Sequence, residues 1–190
     1  MIKKTDLRIE RTYLFLHEAF TSLLEEKRFE DITVNELCER AMIRRTTFYK
    51  HFADKYEYFT FYMKEICKSF RSQLPQNADT DNFHTYFLYM NRELLRFMEE
   101  HQKLVQNIAS STVFPVLCDI LSDHIMYDIL QMLHENKIFS KSDPVHREGI
   151  AAFLSGGLLN VLRLYIKTGT PIDEKLFLET ISLCLPSGNA

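Results

Sequence analysis

The chain has 190 residues, with a hydrophobic fraction of 46% and a charged fraction of 26%, ordinary values for a globular protein that buries a core without disulfides or metals. No 18-residue apolar run stands out and the basic start Met1-Ile2-Lys3-Lys4 has no apolar stretch behind it, so a membrane span and a secretory leader are not expected and a cytoplasmic location is. The net charge of −3 excludes a uniformly basic coat and leaves nucleic-acid binding, if present, to one local patch.

The hydrophobic period is helical throughout, giving an all-α chain of about nine helices. Ile9, Tyr13, Leu16, Phe20 and Leu23 place one apolar stripe on a first helix over about 6–26. A polar connector, 27–31, surrounds one aromatic, Phe29. Thr33 and Glu36 have the spacing of a capping box, and Val34, Leu37, Cys38 and Ala41 share one face of a short second helix. After a break at Met42-Ile43, a third helix over about 45–51 buries Phe48 and Phe52. Asp54 is placed to cap a long fourth helix whose stripe is Tyr56, Phe59, Met63, Ile66 and Phe70, ending near Leu74.

Residues 75–80 read as a linker. A fifth helix over about 81–100 carries Phe83, Phe87, Met90, Leu94 and Phe97, with Tyr86 and Tyr89 on another side. Helical pieces follow around 103–110 and 113–136, Pro115 suiting the first turn of the latter. Past a loop at 138–143, Pro144 starts an apolar helix with Ile150, Phe153, Leu154, Gly157, Leu158, Val161, Leu162 and Tyr165, for which Gly169 is the C′ residue. Pro171 and Asp173 open a last helix bearing Leu176, Phe177, Ile181 and Cys184.

Residues 40–55 carry Arg40, Arg44, Arg45, Lys50 and Lys55 against Asp54 alone, in an otherwise acidic chain. A helix, a tight turn and a second helix make a helix-turn-helix, whose second helix fits the major groove. Opposite Phe48 and Phe52 it displays Arg45, Thr46, Tyr49 and Lys50, residue types that hydrogen-bond phosphates and base edges. Thr33 leaves the amides at the start of the second helix facing outward, and Lys55 stands at the start of the fourth; both suit a phosphate. The competing reading is a solvated basic face.

Ile32-Thr33-Val34, Glu39-Arg40-Ala41, Ile43, Thr47-Phe48-Tyr49-Lys50-His51-Phe52 and Asp54-Lys55 together resemble the signature of the TetR family over about residues 8–60. The resemblance implies a helix-turn-helix DNA-binding domain over 1–53 and an effector-sensing and dimerisation bundle over 54–190. It implies a ligand-responsive repressor that binds a palindromic double-stranded operator as a homodimer, its reading heads respaced by a small-molecule effector through the fourth helix. Thr33, Arg44, Arg45, Thr46, Thr47, Tyr49, Lys50, His51 and Lys55 would then face DNA: Tyr49 and Lys55 on phosphates, Arg45 and Thr46 on bases, Thr47 packing or on a phosphate. Two positions depart from the pattern. The turn residue most often Gly is Met42, and the usual Ser cap of the reading helix is Arg44, which has no acceptor.

The stretch Phe153-Leu154-Ser155-Gly156-Gly157-Leu158-Leu159, with Leu162 and Tyr165, resembles the C-terminal domain of the relatives that include the dihydroxyacetone kinase regulators. It implies a dimer interface of Phe153, Gly157, Leu158, Val161, Leu162 and Tyr165 with Phe177 and Ile181, against the alternative of a helix buried within its own chain. Tyr62, Phe83, Tyr86, Phe87, Tyr89 and Met90 are the candidate lining of an apolar effector cavity, or else plain core. No cofactor or metal is expected: the four cysteines are scattered, and His124 with Asp128 is the sole suggestive metal spacing. Nor is there a nucleophile elbow, phosphate loop or carboxylate pair, so no enzyme is expected. The alternative function is a protein–protein coactivator of the same fold that keeps the helix-turn-helix for structure alone.

Overall fold

The computed structural model describes residues 6–72, 83–135, 143–168 and 173–184. Among these the chain is all-α: α1 (Asp6–Glu26), a 3-10 turn (Phe29–Asp31), α2 (Val34–Arg40), α3 (Arg45–Phe48), α4 (Lys55–Ser72), α5 (Phe83–Glu100), α6 (Gln102–Ala109), α7 (Phe114–Glu135), α8 (Pro144–Thr168) and α9 (Glu174–Cys184). The linker 75–80, most of the loop 138–143, Gly169 and Pro171 lie outside the described residues.

The chain divides into two compact units, Met1–Glu65 with His101–Leu117, and Ile66–Glu100 with Cys118–Ala190. The N-terminal unit therefore reaches past residue 53 and takes in α6. The reason is local. α6 packs along α1, and Asn107 Nδ2 donates to the Leu24 carbonyl at 2.8 Å. The Phe29 amide donates to Ser111 Oγ at 3.1 Å, and the Thr112 amide donates to the Glu30 carboxylate.

The stripe expected on α1 is its core face: Leu16, Phe20, Leu23 and Leu24 have no exposed surface. Phe20 meets Phe29, Tyr58 and Tyr62 edge-on, with centroids 6.3, 5.1 and 5.0 Å away. Such pairs add about 0.5–1.5 kcal/mol each beyond area burial. On α4 the buried face is Tyr58, Phe59, Tyr62 and Met63, whereas Tyr56, expected in the stripe, is 50% exposed. Tyr62 prevails because its hydroxyl has a partner inside, Thr21 Oγ1 at 2.8 Å. The side chain of Phe70 lies outside the described residues.

In the second unit Ile129 and Leu133 of α7 pack on Ala151 and Leu158 of α8, while α5 lies against α9. α5 buries Asn91, Glu93, Leu95 and Met98, and its expected stripe residues Leu94 and Phe97 are half-buried. Contrary to the expectation from composition, α8 is long and apolar enough to cross a membrane, with mean hydropathy 1.5. Its buried positions, Ala151, Ser155, Leu158, Leu159, Leu162 and Tyr165, nevertheless form one stripe with partners in the unit, as a core helix does. Cys38 and Cys118 are buried and Cys67 half-buried, its thiol pushed up to about 11 by burial and then by Asp128; the Cys184 side chain lies outside the described residues.

Candidate nucleic-acid interface

The first half of the expected capping box is present: Thr33 is extended and its Oγ1 accepts the Glu36 amide at 3.2 Å. The second half is not. Glu36 turns away to Lys27, Oε1 to Nζ 2.6 Å, because an ammonium is a stronger partner for a carboxylate than a backbone amide.

α2 ends in a Schellman turn. The Ile43 amide donates to the Cys38 carbonyl at 2.9 Å and the Met42 amide to the Glu39 carbonyl at 3.1 Å. Met42, the C′ residue, has φ 53°, a left-handed conformation that glycine adopts without cost. Its side chain gains little in return, being 82% exposed. Arg44 then occupies the N-cap of α3 in extended conformation with no side-chain cap bond. The regular helix runs only from Arg45 to Phe48 and continues as a turn through His51. Phe48 and Phe52 are buried beneath it.

The opposite face is open. Thr33, Arg44, Arg45, Thr46, Tyr49 and Lys50 are exposed, and Thr47 is half-buried. The Arg45 guanidinium lies 5.8 Å from the centre of the Tyr49 ring, so the phenol pre-orients the cation. His51 is half-buried, with Nδ1 3.3 Å from the Tyr13 hydroxyl, which makes it a link between the turn after α3 and α1.

Two of the five cations of 40–55 are engaged inside the chain. Arg40 forms a two-pronged pair with Glu26, Nη1–Oε1 2.5 Å and Nη2–Oε2 2.9 Å, and also donates to Ser22. Lys55, expected on a phosphate, points inward: Nζ donates to the carbonyls of Phe29, Glu30 and Ile32 at 3.0, 2.9 and 2.7 Å and lies 4.7 Å from the Phe29 ring centre. An ammonium has three donors, and all three are taken. Burial lowers the Lys55 pKa, against the pull of Glu30 and Asp31. Arg44, Arg45 and Lys50 are thus exposed cations of this segment with no carboxylate partner among the described residues, whereas Arg40, also exposed, is paired with Glu26. Asp54 caps α4, accepting the Tyr56 and Glu57 amides at 2.8 and 2.9 Å.

Tyr62, expected to line a cavity, is 1% exposed and packs the core of the N-terminal unit. Tyr89 is half-buried on α5; Phe83, Tyr86, Phe87 and Met90 share that helix, their side chains outside the described residues. The expected dimer residues divide. Leu158, Leu162 and Tyr165 are packed within their own chain, Tyr165 also donating to the Met98 carbonyl, which removes them from a surface. Phe153 is 79% exposed and Gly157 is exposed, Val161 and Phe177 are half-buried, and the Ile181 side chain lies outside the described residues. Gly149 and Leu164 are also exposed, and their helical spacing from Phe153 puts them on its side of α8.

No protein-family profile matches the chain. A stretch of 82 residues is 32% identical to an uncharacterized HTH-type transcriptional regulator, YxbF, of Bacillus subtilis (strain 168), taking in 43% of this chain and 22% of that protein's length. Over 181 residues the chain is 23% identical to the HTH-type dhaKLM operon transcriptional activator DhaS of Lactococcus lactis subsp. lactis (strain IL1403), covering 92% of this chain and 89% of the activator. Among solved structures, a dihydroxyacetone kinase operon activator DhaS superposes with TM-score 0.60 at 19% identity, covering 91% of this chain and 94% of the other. The TetR family repressor AlkX from Dietzia sp. strain DQ12-45-1b gives TM-score 0.54 at 14% identity, covering 90% and 94%.

Proposed function

From a chain that is TetR-type in fold and in its helix-turn-helix signature, we propose a DNA-binding transcription regulator that reads a palindromic operator as a homodimer. The observation that carries this reading is the exposed row Arg44, Arg45, Thr46, Tyr49 and Lys50 over a buried Phe48 and Phe52. Among the described residues these cations and hydroxyls make no side-chain hydrogen bond or ion pair within the chain, and the helix that carries them is narrow enough for the major groove. Arg45 and Thr46 read bases; Arg44, Tyr49, Lys50 and the Thr33-capped start of α2 hold phosphates.

The homodimer reading draws on α8. Phe153, Leu164, Gly149, Gly156 and Gly157 fall on the side away from its buried stripe. A Cβ on any of the three glycines would meet nothing within 4 Å. Each glycine costs the helix about 1 kcal/mol relative to alanine. Packing among the described residues does not require them, whereas a second helix approaching closely would use the space they leave. Two reading helices about 34–36 Å apart would then face successive turns of the duplex. A small-molecule effector is part of the same proposal, supported by the aromatic content of α5 around Tyr86 and Tyr89.

The direction of regulation follows the likeness spanning most of the chain, to an operon activator, as readily as the repressor implied by signature. In the limiting form of that second reading the protein works through protein contacts and the helix-turn-helix is structural. The same titration separates the two. A duplex from upstream of the chain's own gene is titrated at several salt concentrations beside a scrambled duplex. A regulator binds the first selectively, with a steep salt dependence. Arg45→Ala with Tyr49→Ala weakens it by roughly a hundredfold, since one good base contact is worth about 1–3 kcal/mol. Equal affinity for both duplexes, or no effect of the double variant, defeats the reading.

A further inference from the structure

Lys55 has been placed by position among phosphate contacts, but its geometry suits a different task. Its ammonium sits where three carbonyls converge, those of Phe29, Glu30 and Ile32, at 3.0, 2.9 and 2.7 Å. The Phe29–Asp31 turn ends at Ile32, whose amide donates to the Phe29 carbonyl at 3.2 Å, and the ammonium adds a donor to that carbonyl and to those of Glu30 and Ile32. Ile32 is fully buried, and Thr33, next in the chain, is exposed and caps α2. The ammonium therefore fixes the backbone one residue before the point at which α2 turns its amides outward. On the other side the same turn is held by Ser111 and Thr112.

We infer that Lys55 is a positioning residue for DNA binding: it clamps the Phe29, Glu30 and Ile32 carbonyls, fixes the backbone that leads into the helix-turn-helix, and makes no phosphate contact itself. This rests on the DNA-binding reading above, and it assigns Lys55 the opposite role to the one its place in the signature suggests. Arginine is the informative replacement. A guanidinium serves a phosphate at least as well as an ammonium, but its planar fork does not fit three carbonyls converging on a point.

The test uses the full chain, with Lys55→Met and Lys55→Arg beside the parent, and the same upstream duplex at several salt concentrations. Folding is checked by circular dichroism, and amide exchange is followed without DNA. Both variants should lose roughly tenfold in affinity, about 1.4 kcal/mol, with the slope of log K against log salt unchanged. The Glu36 amide, donor to Thr33 Oγ1, should exchange faster while the Leu23 and Leu24 amides do not. A slope reduced by about 0.9 in Lys55→Met marks a lost phosphate contact and overturns the inference. So does parental affinity in Lys55→Arg. Unfolding of both variants also overturns it, since Lys55 would then be a core staple alone. A parent that binds no duplex sinks the regulator reading instead, and Glu36 exchange then decides whether Lys55 holds the segment.

Discussion

The Thr47 amide donates to the Arg44 carbonyl at 2.8 Å, yet the Arg44 side chain returns no acceptor to the helix it opens. A cation at an N-cap also opposes the helix dipole. Arg44 is thus poorly chosen for folding and well chosen for a polyanion. Arg44→Ser should raise stability by about 1 kcal/mol through a new side-chain cap, read as a higher urea midpoint. It should also weaken binding to the upstream duplex and lower the salt slope by about 0.9. A variant that gains stability and keeps its full slope removes Arg44 from the interface.

Met42 carries the second local cost. With φ 53° and 82% of its surface exposed, it has backbone strain and almost no compensating burial. Met42→Gly should stabilise the protein by about 1 kcal/mol, the left-handed cost for a side chain, offset in part by the entropy of an added glycine. The urea midpoint should rise with the denaturant slope unchanged. An unchanged or lower midpoint would mean that the Met42 side chain has a packing role that its exposure does not show.

Both departures were legible because each is a residue of the wrong kind at a position whose backbone the pattern fixes. The helix-turn-helix could be read for the same reason: Thr33, Phe48 and Phe52 have local jobs set by spacing along one chain segment. What was not legible depended on long-range partners. Aromatics at 56, 58, 59, 61 and 62 leave the inner face of α4 ambiguous, and the Thr21 hydroxyl across the core selects Tyr62. Lys55 looks solvent-facing until three carbonyls from an earlier turn are brought beside it. Likewise, Leu158, Leu162 and Tyr165 belong to the same apolar helix as Phe153 and Gly157, and only the position of α7 and α5 separates the inner stripe from the outer one.

Glu30 makes the N-terminal unit sensitive to acid. Burial pushes its carboxyl up, but hydrogen bonding at Thr112, whose amide donates to the carboxylate, outweighs this and holds the pKa at about 2, against an ordinary 4.5. The unfolded chain takes up this proton near pH 4.5 and the folded chain only near pH 2. Between those values acidification favours unfolding, and above them the contribution is complete and constant. Glu30→Gln should therefore be less stable than the parent at neutral pH, by about 1 kcal/mol for a screened, charge-assisted bond. The gap should hold down to about pH 5 and close towards pH 2. A gap that stays constant over the whole range would show that the carboxylate charge is not what holds the 3-10 turn to the α6–α7 turn.

Phe153 tests the quaternary proposal without disturbing the fold. It is 79% exposed, so replacing it removes almost nothing from the chain's own core. Its neighbours on the outer side of α8 include glycines with open space where a side chain would be. A charge placed there has nothing to oppose it in a monomer, but in a two-fold interface it meets its own copy, and like charges desolvated together are strongly unfavourable. Phe153→Glu should keep the parental circular dichroism and melting behaviour of a folded monomer while sedimentation shifts from dimer to monomer. Operator affinity should fall by more than a hundredfold, because two tethered heads act at high effective concentration and a lone head does not. Gly157→Leu, which adds bulk without charge, should act in the same direction. If both variants remain dimeric, the chain pairs through another surface, and the glycines of α8 need a different explanation.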